Sequence, residues 1–286
     1  MGENTNKEEQ SKGKKSVKNN LGEMSFLDHL EELRWHIIRS VLAICVLAVI
    51  AFTMKDFIFD TILLKPSTPD FWTNRMFAKL GDLLNSDIKI NKEPLSLISI
   101  QLADQFMIHI WVSIIAGFIL ASPIVFFELW KFIKPALYEK EKRYAAGAVF
   151  YTSFLFILGV LFGYFLIVPL SIDFLNTYKV SKQVVNQFTL SNYNSMVTSI
   201  VLASGVTFLL PIFSYFLSKV GILTPVFMRT YRRHAYVVLL ILAAIITPPD
   251  VISQIMVFIP LFFLYEISIF ISKRVVKQRE KDLSEM

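Results

Sequence analysis

The sequence predicts an all-α membrane protein with six transmembrane helices, both termini in the cytoplasm and an N-terminal amphipathic surface helix. Two observations predict this fold class. Hydrophobic residues make up 54% of the 286 residues and charged residues only 18%, whereas soluble domains have about 45–50% and about 25%. The apolar residues also fall into runs long enough to cross a bilayer, which takes a helix of about 20 residues.

Six segments have the length and composition of membrane-spanning helices. They are residues 36–55, 106–130, 145–170, 194–217, 232–247 and 251–272. The fifth is the weakest, because it spans only if Arg232 and Arg233 extend their charged ends toward the headgroups. We predict a disordered Lys-rich cytoplasmic tail (1–23), a six-helix membrane domain (24–272) and a charged cytoplasmic tail (273–286).

The distribution of basic residues predicts the orientation, because cytoplasmic loops of membrane proteins are rich in Lys and Arg. Most of the 29 basic residues lie in the N-terminal tail, the loops after the second and fourth spans, and the C-terminal tail. Both termini are therefore predicted to be cytoplasmic, which an even number of spans also requires. The net charge of +6 is in this interpretation a topology signal, and it does not indicate nucleic-acid binding.

The segment before the first span is predicted to form an amphipathic helix on the cytoplasmic surface. Ser25 followed three residues later by Asp28 fits a helix-starting cap. A single stripe carries the apolar residues Phe26, Leu30, Leu33 and Ile37.

The chain lacks the motifs of metal sites and nucleotide-binding loops. Its four histidines are scattered, and no HExxH motif, Cys/His cluster or Gly-rich phosphate loop occurs. We therefore predict that the protein is not an enzyme and uses no metal or cofactor. Motifs alone leave open an intramembrane protease built from dispersed residues.

Two carboxylates on the basic side have no cation at helical spacing. Side chains three or four residues apart are neighbours on a helix, so Glu31 can pair with Arg34, but Glu32 and Glu141 have no Lys or Arg at that spacing. A free carboxylate on a basic surface can receive an incoming guanidinium through two charge-assisted hydrogen bonds. The alternative is that both acids are ordinary solvated surface residues.

Further polar residues lie at membrane depth or at the outer turn. Glu128 and Glu266 fall within spans, Asp250 lies in the turn between the last two spans, and Gln254 follows one helical turn later. Such groups usually face protein or water, so both a structural interhelix hydrogen bond and a functional role remain open. A functional role would make the chain a secondary transporter or proton-conducting channel.

Four motifs occur in an order that is typical of one family of membrane proteins. They are FLDHLEELR (26–34), WKFIKPALY (130–138) with Glu141, TPPD (247–250) followed by Ser253-Gln254, and YEI (265–267). With these motifs, the chain from about residue 24 to residue 272 resembles TatC, a subunit of the twin-arginine (Sec-independent) protein translocase.

The resemblance implies a signal-peptide receptor and core subunit of a translocase that exports folded proteins and is driven by the proton-motive force. The implied partners are twin-arginine signal peptides of folded cargo, single-span subunits of the TatA/TatB type, the lipid bilayer and further copies of the chain, without nucleic acid. The implied location is the inner (plasma) membrane or an organellar equivalent. A scaffold or insertase that binds hydrophobic segments regardless of arginine is a third interpretation.

The resemblance also implies roles for individual residues. The two arginines of the signal would contact Glu32 and Glu141, with Phe132 and Pro135 shaping the loop and Leu33 and Arg34 completing the binding motif. Structural or partner-contact roles fall to Glu128, Leu209, Pro211, Asp250, Gln254 and Glu266. Leu209 is a departure, because the family often has a Glu there in a Phe-Glu-x-Pro context. The polar groove associated with that Glu is therefore in doubt, although Ser204 and Thr207 lie within about one helical turn.

Overall fold

The computed structural model describes residues 26–83, 90–91, 95–133, 145–181, 183, 186–247 and 251–284. The α-helices in this part of the chain are α1 (Phe26–Thr53), α2 (Trp72–Leu83), α3 (Asp104–Ile133), α4 (Ala145–Phe162), α5 (Val168–Thr177), α6 (Leu190–Thr207), α7 (Leu210–Val220), α8 (Pro225–Thr230), α9 (Arg232–Ile246) and α10 (Val251–Ser284). Two π-helices, Phe57–Leu63 and Gly163–Ile167, and a 3-10 helix, Lys65–Ser67, accompany them. Strands β1 (Leu97–Ile98) and β2 (Phe188–Thr189) pair in parallel.

The first span and the segment before it form a single helix. No Gly or Pro interrupts the 28 residues of α1, so nothing in the sequence breaks the hydrogen-bond ladder between the amphipathic stripe and the apolar run. The prediction of a separate surface helix is corrected accordingly. At about 1.5 Å per residue, α1 is about 42 Å long, which exceeds the hydrocarbon thickness of about 30 Å. One end of α1 therefore extends beyond the hydrocarbon region.

Within the described residues, five helical segments are long and apolar enough to cross a membrane. They are Leu30–Thr53, Asp104–Ile133, Gly147–Thr177, Leu190–Val220 and Ser253–Gln278. The remaining predicted span corresponds to α9, which has only 15 residues and a length of about 23 Å. The last helix, with 34 residues, continues past residue 272 to Ser284, so the predicted tail starts within a helix.

Prolines mark two irregular places in the spans. Pro211 follows the turn between α6 and α7, where the missing amide proton of proline interrupts the helical ladder. Pro169 lies just after the π-helix Gly163–Ile167 and has no amide proton to donate to it. The Thr73 hydroxyl of α2 donates to the carbonyl of Phe165 at 2.5 Å. This hydrogen bond ties α2 to the irregular stretch of the span.

Hydrogen bonds tie the segment between α1 and α3 to the ends of the other spans. The backbone N–H of Asn91 donates to the Asp173 carboxylate at 2.7 Å, and its side-chain amide donates to the Pro169 carbonyl at 3.0 Å. The hydroxyl of Tyr193 donates to the carbonyl of Leu63 at 2.7 Å. These contacts close the end of the bundle at which α1 finishes.

Close helix packing depends on glycine at two crossings. A Cβ on Gly117 of α3 would lie 2.6 Å from the backbone nitrogen of Ala48 on α1, and a Cβ on Gly159 of α4 would lie 2.6 Å from the Ser204 carbonyl oxygen of α6. Small residues allow such backbone approach in membrane bundles. The first crossing places α1 directly against α3, and this pair carries the site described next.

Candidate functional site

An open cleft lies where the N-terminal half of α1 meets the C-terminal end of α3. It has a volume of about 430 Å³ and is lined by Glu32, Trp35, His36, Arg39 and Lys131. The four α1 residues are spaced by three, one and three positions, which puts them on one face of the helix. The cleft combines one carboxylate with an aromatic ring, an imidazole and two permanent cations.

A buried polar contact joins the two helices beside this cleft. His36 is only 5% exposed and Glu128 only 8% exposed. The Nδ1 atom of His36 lies 2.5 Å from Oε2 of Glu128, and Nη1 of Arg39 lies 3.7 Å from the same oxygen. Phe132 of α3 packs with its ring edge-on to His36, at 6.1 Å between centroids. Glu128 of α3 thus makes a buried interhelix contact with α1.

Glu32 is the accessible carboxylate of the cleft. Its side chain is 36% exposed, and Oε1 lies 3.9 Å from Nε2 of His36, which is beyond hydrogen-bonding distance. Among the described residues, Glu32 makes no ion pair with Lys or Arg. Its oxygens therefore remain able to accept hydrogen bonds from a ligand.

The other residues assigned to binding have different positions. Leu33 is half-buried and Arg34 is exposed on α1. Glu31 and Arg34 do not form the predicted ion pair in the described part of the chain. Pro135 and Glu141 lie outside the described residues. Of the loop motif, Lys131 lines the cleft together with Glu32, and Phe132 packs against His36.

Glu266 and Gln254 connect α9 to α10. The guanidinium of Arg232 donates to Oε2 of Glu266 at 2.7 Å, and the Tyr236 hydroxyl donates to Oε1 at 2.6 Å. The side-chain amide of Gln254 donates to the Leu240 carbonyl at 3.3 Å. These bonds hold the short α9 against the long α10, while Asp250 lies outside the described residues.

The stretch around Leu209 is packed and apolar. Leu209 and Phe208 are buried, at 7% and 6% exposure, in the turn that precedes Pro211. The Thr207 hydroxyl donates to the carbonyl of Ala203 in its own helix at 2.6 Å. The Ser204 hydroxyl is enclosed against Gly163 and has no hydrogen-bond partner among the described residues. These two hydroxyls therefore do not form a polar groove.

Sequence reasoning missed part of the cleft. The spacing of Glu32, His36 and Arg39 contained a usable signal, because all three lie on one helical face. The contact between His36 and Glu128 had no such signal, since 92 residues separate them along the chain. Only the packing of α1 on α3 reveals it.

Comparison with known proteins establishes the family to which this chain belongs. A family model described as Sec-independent protein translocase protein (TatC) matches residues 28–260. The chain belongs to the TatC family. The TatC of Blattabacterium sp. subsp. Periplaneta americana (strain BPLAN) is 45% identical over 266 residues, which cover 92% of this chain and 100% of that protein. The TatC of Aquifex aeolicus (strain VF5) is 32% identical over 259 residues, covering 90% and 98%.

Solved structures of TatC agree with this membership. Two crystal structures of the twin arginine translocase receptor TatC, one of them in DDM, are each 33% identical to this chain. They match with TM-scores of 0.63 and 0.66, covering 86% and 85% of this chain and 99% of theirs. The resemblance to TatC inferred from the four motifs is confirmed. The chain is a membrane component of a protein translocase.

Proposed function

We propose that this chain is the signal-peptide receptor and core subunit of a twin-arginine translocase, and that the cleft between α1 and α3 receives the arginine pair. The solved structures that it resembles are described as the twin arginine translocase receptor, which supports the receptor role. The same proposal gives it an inner-membrane location with both termini in the cytoplasm, TatA/TatB-type partner subunits and dependence on the proton-motive force.

The observation that carries the proposal is the accessible carboxylate of Glu32 in a cleft that also contains Arg39 and Lys131. A guanidinium that docks on Glu32 gains charge-assisted hydrogen bonds. A cation placed elsewhere in the cleft meets the two basic side chains and is repelled. Attraction at one point with repulsion around it favours a ligand whose arginine has one defined position. Glu141 is the proposed acceptor for the second arginine.

Two of the three carboxylates on which the transporter alternative relies have partners in this structure, and the third, Asp250, lies outside the described residues. Glu128 contacts His36 and Arg39, and Glu266 contacts Arg232 and Tyr236. The two carboxylates belong to different helix pairs. These contacts favour interhelix anchoring over an ion pathway, and ion flux through the purified chain alone in liposomes would support the alternative.

Replacing Glu32 by glutamine is expected to weaken binding of a twin-arginine signal peptide by about 10- to 100-fold, because one charge-assisted pair is lost. The measurement is a peptide titration with the purified, detergent-solubilised protein. Glu31→Gln is the matched control, since Glu31 is an exposed carboxylate on the same helix and does not line the cleft.

The control variant should bind like the native chain. A signal with a Lys-Lys pair should bind more weakly to the native chain, because an ammonium cannot form the bidentate contact. Unchanged affinity of Glu32→Gln for the Arg-Arg signal would contradict the site assignment.

A further inference from the structure

We infer that His36 is a positioning residue of the receptor site: through Nδ1 it anchors α1 to Glu128 of α3 and thereby holds Glu32 toward the cleft. This inference rests on the proposed function. It adds to the site a buried pair, His36 and Glu128, whose part is to orient Glu32.

The geometry gives each ring nitrogen of His36 a different environment. An ionised carboxylate can only accept hydrogen bonds, so the 2.5 Å contact has Nδ1–H of His36 as donor to Oε2 of Glu128. The other nitrogen, Nε2, faces Glu32 from 3.9 Å. The anchor thus uses one edge of the imidazole, and the opposite edge faces the ligand-binding carboxylate.

The Glu128 carboxylate contacts two residues that lie on successive turns of α1. His36 and Arg39 both approach its Oε2 atom, at 2.5 and 3.7 Å. Two contacts three residues apart define the rotation of α1 about its own axis as well as its height along α3. Glu32 lies four residues before His36, on the same face, so its direction follows from this anchor.

Burial makes the anchor difficult to replace. His36 is almost fully enclosed, with Phe132 edge-on to its ring, and a buried polar group without a partner is unfavourable. A residue that cannot donate at the Nδ1 position would leave the Glu128 carboxylate to Arg39 alone. Rotation of α1 that satisfies Glu128 in another way would turn Glu32 out of the cleft.

Two amide substitutions test the two ring nitrogens of His36 separately. The side-chain amide of asparagine branches at Cγ and so stands near the Nδ1 position, whereas that of glutamine branches at Cδ and stands near the Nε2 position. His36→Asn therefore retains a donor for Glu128. His36→Gln removes it while keeping a polar group toward Glu32.

The test is the ratio of affinities for an Arg-Arg and a Lys-Lys signal peptide, measured on the detergent-solubilised full chain. We expect His36→Asn to keep the native ratio, and His36→Gln to reduce it about tenfold. A role in stability alone would change the melting temperature without changing this ratio. Glu128→Gln gives a second route: its neutral amide accepts more weakly than a carboxylate, so the ratio should fall by a smaller factor.

The outcomes separate this inference from the function on which it rests. Native ratios in His36→Gln and Glu128→Gln, together with a lost ratio in Glu32→Gln, would overturn the positioning role and leave the receptor site in place. An equal loss in His36→Asn and His36→Gln would also overturn it, because Nδ1 would then have no special part. A native ratio in Glu32→Gln would instead overturn the proposed function.

Discussion

Replacing Gly117 by leucine is expected to separate α1 from α3 and to eliminate binding of the signal peptide. A Cβ at this position would lie 2.6 Å from the backbone nitrogen and 2.8 Å from the Cα of Ala48. The obstructing atoms are backbone, so only a shift of the whole helix relieves the clash. We expect a loss of at least about 2 kcal/mol in unfolding free energy, measured by thermal denaturation in detergent.

The chain offers a matched control for this substitution. Gly147, near the start of α4, has no atom within 4 Å of a built Cβ, so Gly147→Leu should leave both stability and peptide binding close to native. Native-like stability of Gly117→Leu would show that the close approach of α1 to α3 is not required. The cleft would then need another explanation for its shape.

The second large effect is expected at the contact between α9 and α10. Arg232→Leu would leave the Glu266 carboxylate inside a membrane-spanning helix with the Tyr236 hydroxyl as its one remaining partner among the described residues. A charge without its counter-ion at membrane depth costs about 2.5–3.5 kcal/mol. We expect a lower melting temperature and a lower yield of folded protein, because α9 is too short to be held by apolar contacts with lipid alone.

Two further variants identify the cause of that loss. Arg233→Leu is the control, since Arg233 is the exposed neighbour in sequence and makes no contact with Glu266 among the described residues. Combining Arg232→Leu with Glu266→Leu should restore much of the stability, because removal of both charges also removes the unpaired carboxylate. A double variant as unstable as Arg232→Leu would show that the ion pair is not the cause.

Much of the fold is predictable from composition and run length. Long apolar segments must form helices in a bilayer, where every backbone polar group needs an internal partner. The weakness of the fifth predicted span follows from Arg232 and Arg233, and the structure begins α9 at Arg232. The prediction of a separate surface helix fails for a local reason: an amphipathic and an apolar segment that are joined without Gly or Pro remain one helix.

The site is predictable only in part. Spacing along a helix identifies Glu32 as a carboxylate without a Lys or Arg neighbour, because that rule involves residues of one helix. The anchor from His36 to Glu128 depends on how α1 packs against α3, and helical periodicity does not contain that information. Leu209 shows the same limit, since its burial beside Pro211 depends on the turn between α6 and α7.

The most direct test of the receptor site is photo-cross-linking of a signal peptide to chosen positions of this chain. Trp35 lines the cleft and is 54% exposed, and Trp111, near the opposite end of α3, is 53% exposed. Each is replaced in turn by a photoreactive phenylalanine analogue, so that an aromatic side chain is retained.

We expect the analogue at Trp35 to cross-link a twin-arginine signal strongly and its Lys-Lys counterpart weakly, with little product at Trp111 for either. Equal cross-linking of both signals at Trp35, or cross-linking at Trp111 alone, would contradict a receptor site for the arginine pair between α1 and α3.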